Sequence, residues 1–234
     1  MNKRSIFAAA VSAVALLAAS PALAGVVINS GAGGTTTLAS VGNSGTINFN
    51  GYGGSVPAVI PGLSSSLTLT FQGIFGNTYR FAYSLTNSST LAGTRVSSFG
   101  FNVNPNITSA SATGAFDTAN INVNYPVGFG TVEVCFYDGP GGTCTGNGRG
   151  VAFGTTGTGL LNLTFGGGAP ANITLTDFVD RYQAFNYRGI GSAIGIPVGV
   201  PEPATWGLMI LGIGLVGAAM RRQKQTVDAK INFA

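Results

Sequence analysis

The chain of 234 residues contains no histidine, only two cysteines, and only 8% charged residues. Without histidine, neither a Ser-His-Asp triad nor a Cys-His pair can form, and histidine-containing zinc and copper sites are excluded. No P-loop sequence is present either. We therefore expect a protein that is not an enzyme and that has no cofactor and no metal site.

The few charges are distributed unevenly along the chain. Residues 25–200 contain five arginines and five acids, so the net charge of +4 comes from the two ends of the chain. Nucleic-acid binding would need a basic stripe on the folded domain. The sequence therefore predicts no nucleic-acid partner.

The closest pair of acids in the middle of the chain is Asp177 and Asp180. A glycosidase would need two carboxylates flanking one bond. On a strand, residues three apart point to opposite faces and cannot do this. We expect both to be charges on a partly solvated strand, near Arg181.

The first 24 residues have the pattern of a secretory signal peptide. Lys3 and Arg4 precede an apolar stretch, and Ala22 and Ala24 complete an A-x-A cleavage site. The alternative is a transmembrane anchor, but the apolar stretch is short and ends in small residues. We predict cleavage after Ala24, which leaves Gly25 as the first residue of an exported chain.

The two cysteines, Cys135 and Cys144, flank a segment rich in turn-forming residues, Asp138 to Gly142. An exported chain enters an oxidising compartment, where two such cysteines pair. A metal site is the alternative, but the chain has no histidine and no third cysteine. We predict a structural disulfide.

Residues 25–197 alternate apolar and polar residues in short runs separated by Gly, Asn, Ser and Pro clusters. The run "LTLTFQGIF", for example, places Leu67, Leu69, Phe71 and Phe75 on one face of a strand. This pattern predicts an all-β ectodomain, an antiparallel β-sandwich of jelly-roll-like type. Residues 173–185 also fit a helical spacing, but their β-favouring start predicts a long strand.

Glycan binding is an alternative for this ectodomain. Tyrosine rings on a neutral β-sandwich can stack on sugars, although the same rings can lie in the core. The candidate rings are Tyr52, Tyr125, Tyr137, Tyr182 and Tyr187.

Residues 198–224 differ from all that precedes them. The triplet Pro201-Glu202-Pro203 meets an uncharged, mostly apolar run that stops at Arg221 and Arg222. A helix over about residues 203–220 would be roughly 27 Å long, close to the hydrocarbon thickness of a membrane. The basic cluster at 221–224 then places residues 225–234 in the cytoplasm as a short tail.

Within that segment, Trp206 lies where an interfacial aromatic belonging to a membrane helix is expected. Three glycines, Gly212, Gly214 and Gly217, give the helix a small-residue surface suited to close packing against another helix. Two prolines around Glu202 hold the chain extended and remove backbone donors.

This segment resembles the PEP-CTERM sorting signal of Gram-negative bacteria, in the variant with tryptophan three residues after the triplet. The resemblance implies recognition and cleavage near Pro201-Glu202-Pro203 by exosortase, a membrane-embedded cysteine transpeptidase. It also implies export, often in bacteria that make exopolysaccharide and biofilm. The ten residues after the basic cluster, 225–234, depart from the family, which commonly stops there.

From these observations we expect a protein that is first a single-pass protein of the cytoplasmic membrane, with its ectodomain in the periplasm. After exosortase processing it would reach the cell surface or the extracellular matrix, with exopolysaccharide as a further partner. The alternative is a glycan-binding module that an uncut tail anchors permanently.

Overall fold

The computed structural model describes residues 25–31, 34–53, 58–126, 128–139, 143–146 and 149–199, together with Leu211, Ile213, Val216, Gly217 and Met220. The predicted signal peptide, residues 1–24, and most of the predicted sorting segment therefore lie outside the described residues.

The described chain forms thirteen β-strands, all between Gly25 and Pro197. They are β1 (Gly25–Asn29), β2 (Thr35–Leu38), β3 (Ser44–Gly53), β4 (Ala58–Phe75), β5 (Thr78–Asn87), β6 (Arg95–Asn104), β7 (Ser109–Gly114), β8 (Thr118–Tyr125), β9 (Gly130–Tyr137), β10 (Val151–Ala152), β11 (Thr156–Thr164), β12 (Asn172–Tyr187) and β13 (Ile190–Pro197).

These strands belong to one continuous sheet, whose main path runs β7-β11-β5-β4-β3-β13-β12-β6-β9-β8. All neighbours are antiparallel except β1, which pairs in parallel with β12. The end strands of the path, β7 and β8, are consecutive in the chain and approach each other, so the sheet curls until it is almost closed. The predicted all-β, antiparallel class is confirmed, but one curled sheet replaces the two packed sheets expected of a sandwich or jelly roll.

The main core lies inside the curl. Alternate residues of β4 and β5 point inward, as their regular apolar-polar alternation requires. Aromatic rings occupy much of this interior: Phe99 packs 5.2 Å from Phe116 and 5.2 Å from Phe136, measured between ring centroids. Phe101 packs at the same distance against Phe178, which links β6 to β12.

A second, smaller core lies on the outer face of β12. Val179 of β12 and Ile194 of β13 pack there with Tyr125, Val132 and the disulfide. The middle of β12 is therefore buried on both faces, from Phe178 to Tyr182. Strong alternation is lost in such a strand, which explains its mixed sequence pattern.

The predicted strand at residues 173–185 is confirmed, since β12 covers all of it. The face assigned to Phe75 is wrong. A β-bulge between Phe71 and Gly73 shifts the register of β4 against β5, and Phe75 is left 53% exposed. One extra residue in a strand reverses the side to which the following residues point.

Candidate functional site

A carboxylic acid lies buried inside the curled sheet. Asp180 of β12 has no exposed surface, and Ser65 of β4 donates a hydrogen bond to its Oδ2. The Tyr182 hydroxyl donates to Ser65 Oγ over 2.9 Å. The other carboxyl oxygen, Oδ1, lies against the backbone of Gly195 without a well-formed hydrogen bond to any described residue. A side chain at position 195 would overlap that oxygen, so only glycine fits there.

Burial controls the protonation of this cluster. Desolvation raises the pKa of Asp180 to about 7, against the opposing effect of its hydrogen bonds. Desolvation also raises the pKa of the Tyr182 phenol well above its usual value. The expectation of a partly solvated Asp180 is wrong, because β12 is covered on both faces. Ser65 and Asp180 are 3% and 0% exposed, so no substrate reaches them in this structure.

The predicted disulfide between Cys135 and Cys144 is present. It holds a loop over the outer face of β12, where the backbone oxygen of Cys144 accepts a hydrogen bond from Ser98. The next carbonyl, that of Thr145, accepts one from Arg181 Nε. Arg181 is 7% exposed, and burial lowers its pKa. The disulfide loop therefore covers the second core.

Most of the candidate sugar-stacking tyrosines are not available at the surface. Tyr125, Tyr137 and Tyr182 are buried, while Tyr52 and Tyr187 are partly buried. Tyr125 instead shares a hydrogen bond of 2.7 Å with Ser98 inside the second core. The alternative prediction that tyrosine rings stack on sugars is thus wrong for Tyr125, Tyr137 and Tyr182.

A row of polar side chains crosses four adjacent strands beside the second core. Thr176 of β12 pairs with Asn102 of β6, and Asn102 Oδ1 accepts a hydrogen bond of 2.7 Å from the Glu133 backbone of β9. Asn122 of β8 lies between two residues that pair with β9, level with Glu133. With strands about 4.8 Å apart, the row is roughly 14 Å long.

Two cavities open along this row. One, of about 290 Å³, is lined by Asn102, Asn106, Asn122, Thr131 and Glu133, with Val103 beneath them. The other, of about 380 Å³, is lined by Asn29, Thr176, Asp177, Phe129, Ile196 and Pro197, among others. A hydrogen bond of 2.9 Å from Asn102 Nδ2 to Asp177 Oδ2 joins their walls. We call the two cavities together the outer groove.

The partly exposed Phe129 ring in the outer groove packs against a buried aromatic ring. Phe129 lies in the turn between β8 and β9, and the buried Tyr125 ring meets it edge to face at 6.2 Å. Asn122 and Asp177, one in each cavity, both have left-handed backbone, with φ of 54° and 50°. Such backbone is uncommon outside glycine, and it sets where these two side chains point.

The Glu133 carboxylate is fixed by the backbone beside it. Its two oxygens accept hydrogen bonds from the N–H groups of Val103 and Ile107, over 2.9 Å and 2.6 Å. Partial burial raises its pKa, and these two bonds oppose the rise. Among the described residues that line the two cavities, the charged ones are the acids Asp177 and Glu133.

The predicted first residue of the exported chain, Gly25, begins β1. Its nitrogen lies 3.1 Å from the Asn172 side-chain oxygen and 3.1 Å from the Ala171 carbonyl oxygen. A side chain at position 25 would overlap Asn172 Oδ1. The other predicted cleavage-site residues, Ala22 and Ala24, lie outside the described residues.

At the other end of the domain, β13 ends at Pro197, and the Val198 N–H donates a hydrogen bond of 2.9 Å to the Asn48 carbonyl.

Most of the predicted sorting residues lie outside the described residues. They are Pro201, Glu202, Pro203, Trp206, Gly212, Gly214, Arg221 and Arg222. Gly217, with Leu211, Ile213, Val216 and Met220, has helical backbone and is exposed. Within the described part of the chain, no helix has the length and apolarity needed to cross a membrane.

Sequence reasoning missed the buried Ser65–Asp180–Tyr182 cluster and the outer groove. Both depend on which strands become neighbours, and residues such as Ser65 and Asp180 are 115 positions apart. The sequence signal nearest the groove is the alternate asparagines of β8, Asn120, Asn122 and Asn124, which are all exposed.

Comparison of the chain with curated proteins and with solved structures finds no match. The comparison with protein families finds one segment, residues 199–223, which begins directly after the last hydrogen-bonded residue of the sheet. Its limits contain the Pro-Glu-Pro triplet, the apolar run, and Arg221 and Arg222 of the basic cluster. Residues 199–223 of this chain match the PEP-CTERM protein-sorting motif, as the sequence predicted.

Proposed function

We propose that this protein is an exported, non-enzymatic component of the cell surface or extracellular matrix, sorted by exosortase through its C-terminal segment. The observation that carries the proposal is the sorting motif at residues 199–223. It directly follows a folded domain that ends at Pro197. PEP-CTERM signals are exosortase substrates, and such a motif implies export and membrane-associated sorting.

In this proposal the tail has two parts. Pro201-Glu202-Pro203 presents extended backbone for cleavage, and the apolar helix of about residues 203–220 docks in the membrane beside the enzyme. Arg221 and Arg222 hold the cytoplasmic end, which places the ectodomain in the periplasm before processing.

The non-enzymatic part of the proposal has its own support. In the described ranges, no three metal-ligating side chains come together. The hydroxyl–carboxylate chain of Ser65 and Asp180 is enclosed. The exposed Asp177 and the half-buried Glu133 of the outer groove already accept hydrogen bonds from the protein.

The test is the intact mass of the protein recovered from its own host, in the cell-bound and released fractions. We expect a mature chain that ends near Pro203. A matched variant with alanines at 201–203 should remain in the membrane at full length. A wild-type mass that reaches Ala234 in every fraction would overturn the proposal.

A second candidate is a glycan-binding module that stays in the membrane through an uncut tail. The outer groove favours the binding part of this candidate, because it offers cavities with both polar and aromatic walls. The same mass measurement separates the two fates.

A further inference from the structure

We propose that the outer groove binds a neutral oligosaccharide. The groove lies on the outward face of β12, β6, β9 and β8, and two cavities of about 380 Å³ and 290 Å³ open along it. This inference extends the proposed surface or matrix role. It rests on that role only for the source of the sugar, which is the cell surface or the matrix.

The polar atoms of the groove suit a ligand rich in hydroxyl groups. Asn106, Asn122 and Thr131 are exposed and make no side-chain hydrogen bond to other described residues. Both hydrogen bonds that Asp177 accepts there end on Oδ2, at 2.9 and 3.0 Å, which leaves Oδ1 for a ligand. An amide can donate to one hydroxyl and accept from its neighbour, and a carboxylate accepts from both. Sugars offer such hydroxyls in pairs.

The apolar part of the groove suits the other face of a sugar ring. Phe129 is partly exposed, and the contact with Tyr125 fixes the orientation of its ring. Ile196 and Pro197 add further apolar lining to the larger cavity. A pocket with a rigid aromatic surface and a few fixed polar groups is the usual form of a small-molecule site.

The charge of the groove selects among sugars. Its charged residues within the described part of the chain are Asp177 and Glu133, and no described lysine or arginine lines the cavities. A uronic-acid or phosphorylated sugar would bring like charge to these carboxylates, which is unfavourable. The chemistry therefore favours neutral chains, and the length of the row, roughly 14 Å, suits several consecutive rings.

The strain in the backbone supports a binding role. Of the four described non-glycine residues with positive φ, two are Asn122 and Asp177, one in each cavity. Both aim a polar side chain that the fold itself does not need for its core. Backbone outliers of this kind concentrate at binding sites.

The experiment measures binding by the full-length protein in detergent, with calorimetry and a β-linked glucose oligosaccharide, an α-linked one and a polyuronate oligosaccharide as probes. We expect at least one neutral probe to bind and the polyuronate to bind at least about tenfold more weakly. Phe129→Ala and Asp177→Ala should each weaken binding by about tenfold or more, a loss typical of one strong contact.

Two further variants keep the result interpretable. Phe153→Ala removes another exposed ring, 46% accessible and outside the groove, and should leave binding unchanged. Asn122→Gly removes a groove side chain while accepting the same positive φ, so it tests the site without straining the fold.

The proposal fails if neither neutral probe binds, if the polyuronate binds as well or better, or if Phe129→Ala and Asn122→Gly bind like the wild type. None of these results depends on tail processing. A full-length protein that binds glucan but is never cut would contradict the sorting proposal alone, and a cut protein that binds no neutral sugar would contradict this one alone.

Discussion

Ser65 on β4 donates a hydrogen bond to the Asp180 carboxylate on β12, although β3 and β13 lie between their strands in the sheet. The two side chains meet because the sheet curls and both point inward. Tyr182 extends the chain of hydroxyls, and the absent side chain of Gly195 makes room for the second oxygen. A polar contact thus pins two distant parts of the curl across an otherwise apolar interior.

This buried acid makes stability depend on pH. The pKa of Asp180 is about 7 in the folded protein, against 3.8 for the free side chain. The folded state therefore binds the proton more tightly than the unfolded state. The contribution of Asp180 to the free energy of unfolding is complete below about pH 4 and is lost as the pH rises to about 7. The loss is on the order of 4 kcal/mol, and urea denaturation at a series of pH values measures it.

Asp180→Asn should remove most of that pH dependence, because the buried group no longer ionises. Asp177→Asn, an exposed acid on the same strand, is the matched control and should keep the wild-type slope. Equal slopes in the wild type and in Asp180→Asn would contradict the prediction.

The disulfide should contribute to stability by restricting the unfolded chain. Cys135 and Cys144 close a short loop with a sequence separation of 9, and the chain-entropy relation gives roughly 2 to 3 kcal/mol. We expect the double variant Cys135→Ala/Cys144→Ala to lose about this amount in denaturant titrations. Reductant should destabilise the wild type similarly and leave the double variant unaffected. A variant as stable as the oxidised wild type would show that the loop hydrogen bonds from Ser98 and Arg181 suffice.

Signal cleavage after Ala24 should place the ammonium group of Gly25 within hydrogen-bond distance of two acceptor oxygens. A peptide N–H at Gly25 has one hydrogen for the two oxygens of Ala171 and Asn172, each 3.1 Å away. A free amino terminus has enough hydrogens for both. We expect amino-terminal sequencing of the exported protein to begin at Gly25.

In that mature protein, Asn172→Ala should cost about 1 to 2 kcal/mol of unfolding free energy, since it removes an acceptor from a charged donor. Asn172→Asp should retain the stability at neutral pH, because the carboxylate also accepts. Asn124→Ala, an exposed strand position without a side-chain partner among the described residues, is the control. No difference between the two alanine variants would argue against this role for Asn172.

The strand pattern of this chain was readable from sequence where one face is buried and the other is not. Tyr79, Phe81, Tyr83 and Leu85 of β5 alternate with polar residues and all point into the core. The pattern failed at Phe75, because a bulge follows local backbone geometry that Gly73 permits and alternation does not reveal. It failed at Asp180 because β12 is buried on both sides, which depends on strands far away in the chain.

The tail was readable for a different reason. A sorting signal is recognised as a linear segment, so its information is local, and the match at residues 199–223 confirms the segment identified from Pro201-Glu202-Pro203 onward. The outer groove is assembled from β1, β6, β8, β9, β12 and β13. No local pattern can specify such a site.

The hydrogen bond from Val198 to Asn48 also limits the distance between the Pro-Glu-Pro triplet and the sheet. Only Gly199 and Val200 separate Val198 from the first proline of the triplet, and three residue steps span at most about 11 Å. β13 is not an edge strand but lies between β3 and β12, so pulling on the tail shears two ladders instead of peeling one. Any partner that binds the triplet therefore lies close to the sheet. A force applied to the triplet is transmitted directly to the folded domain.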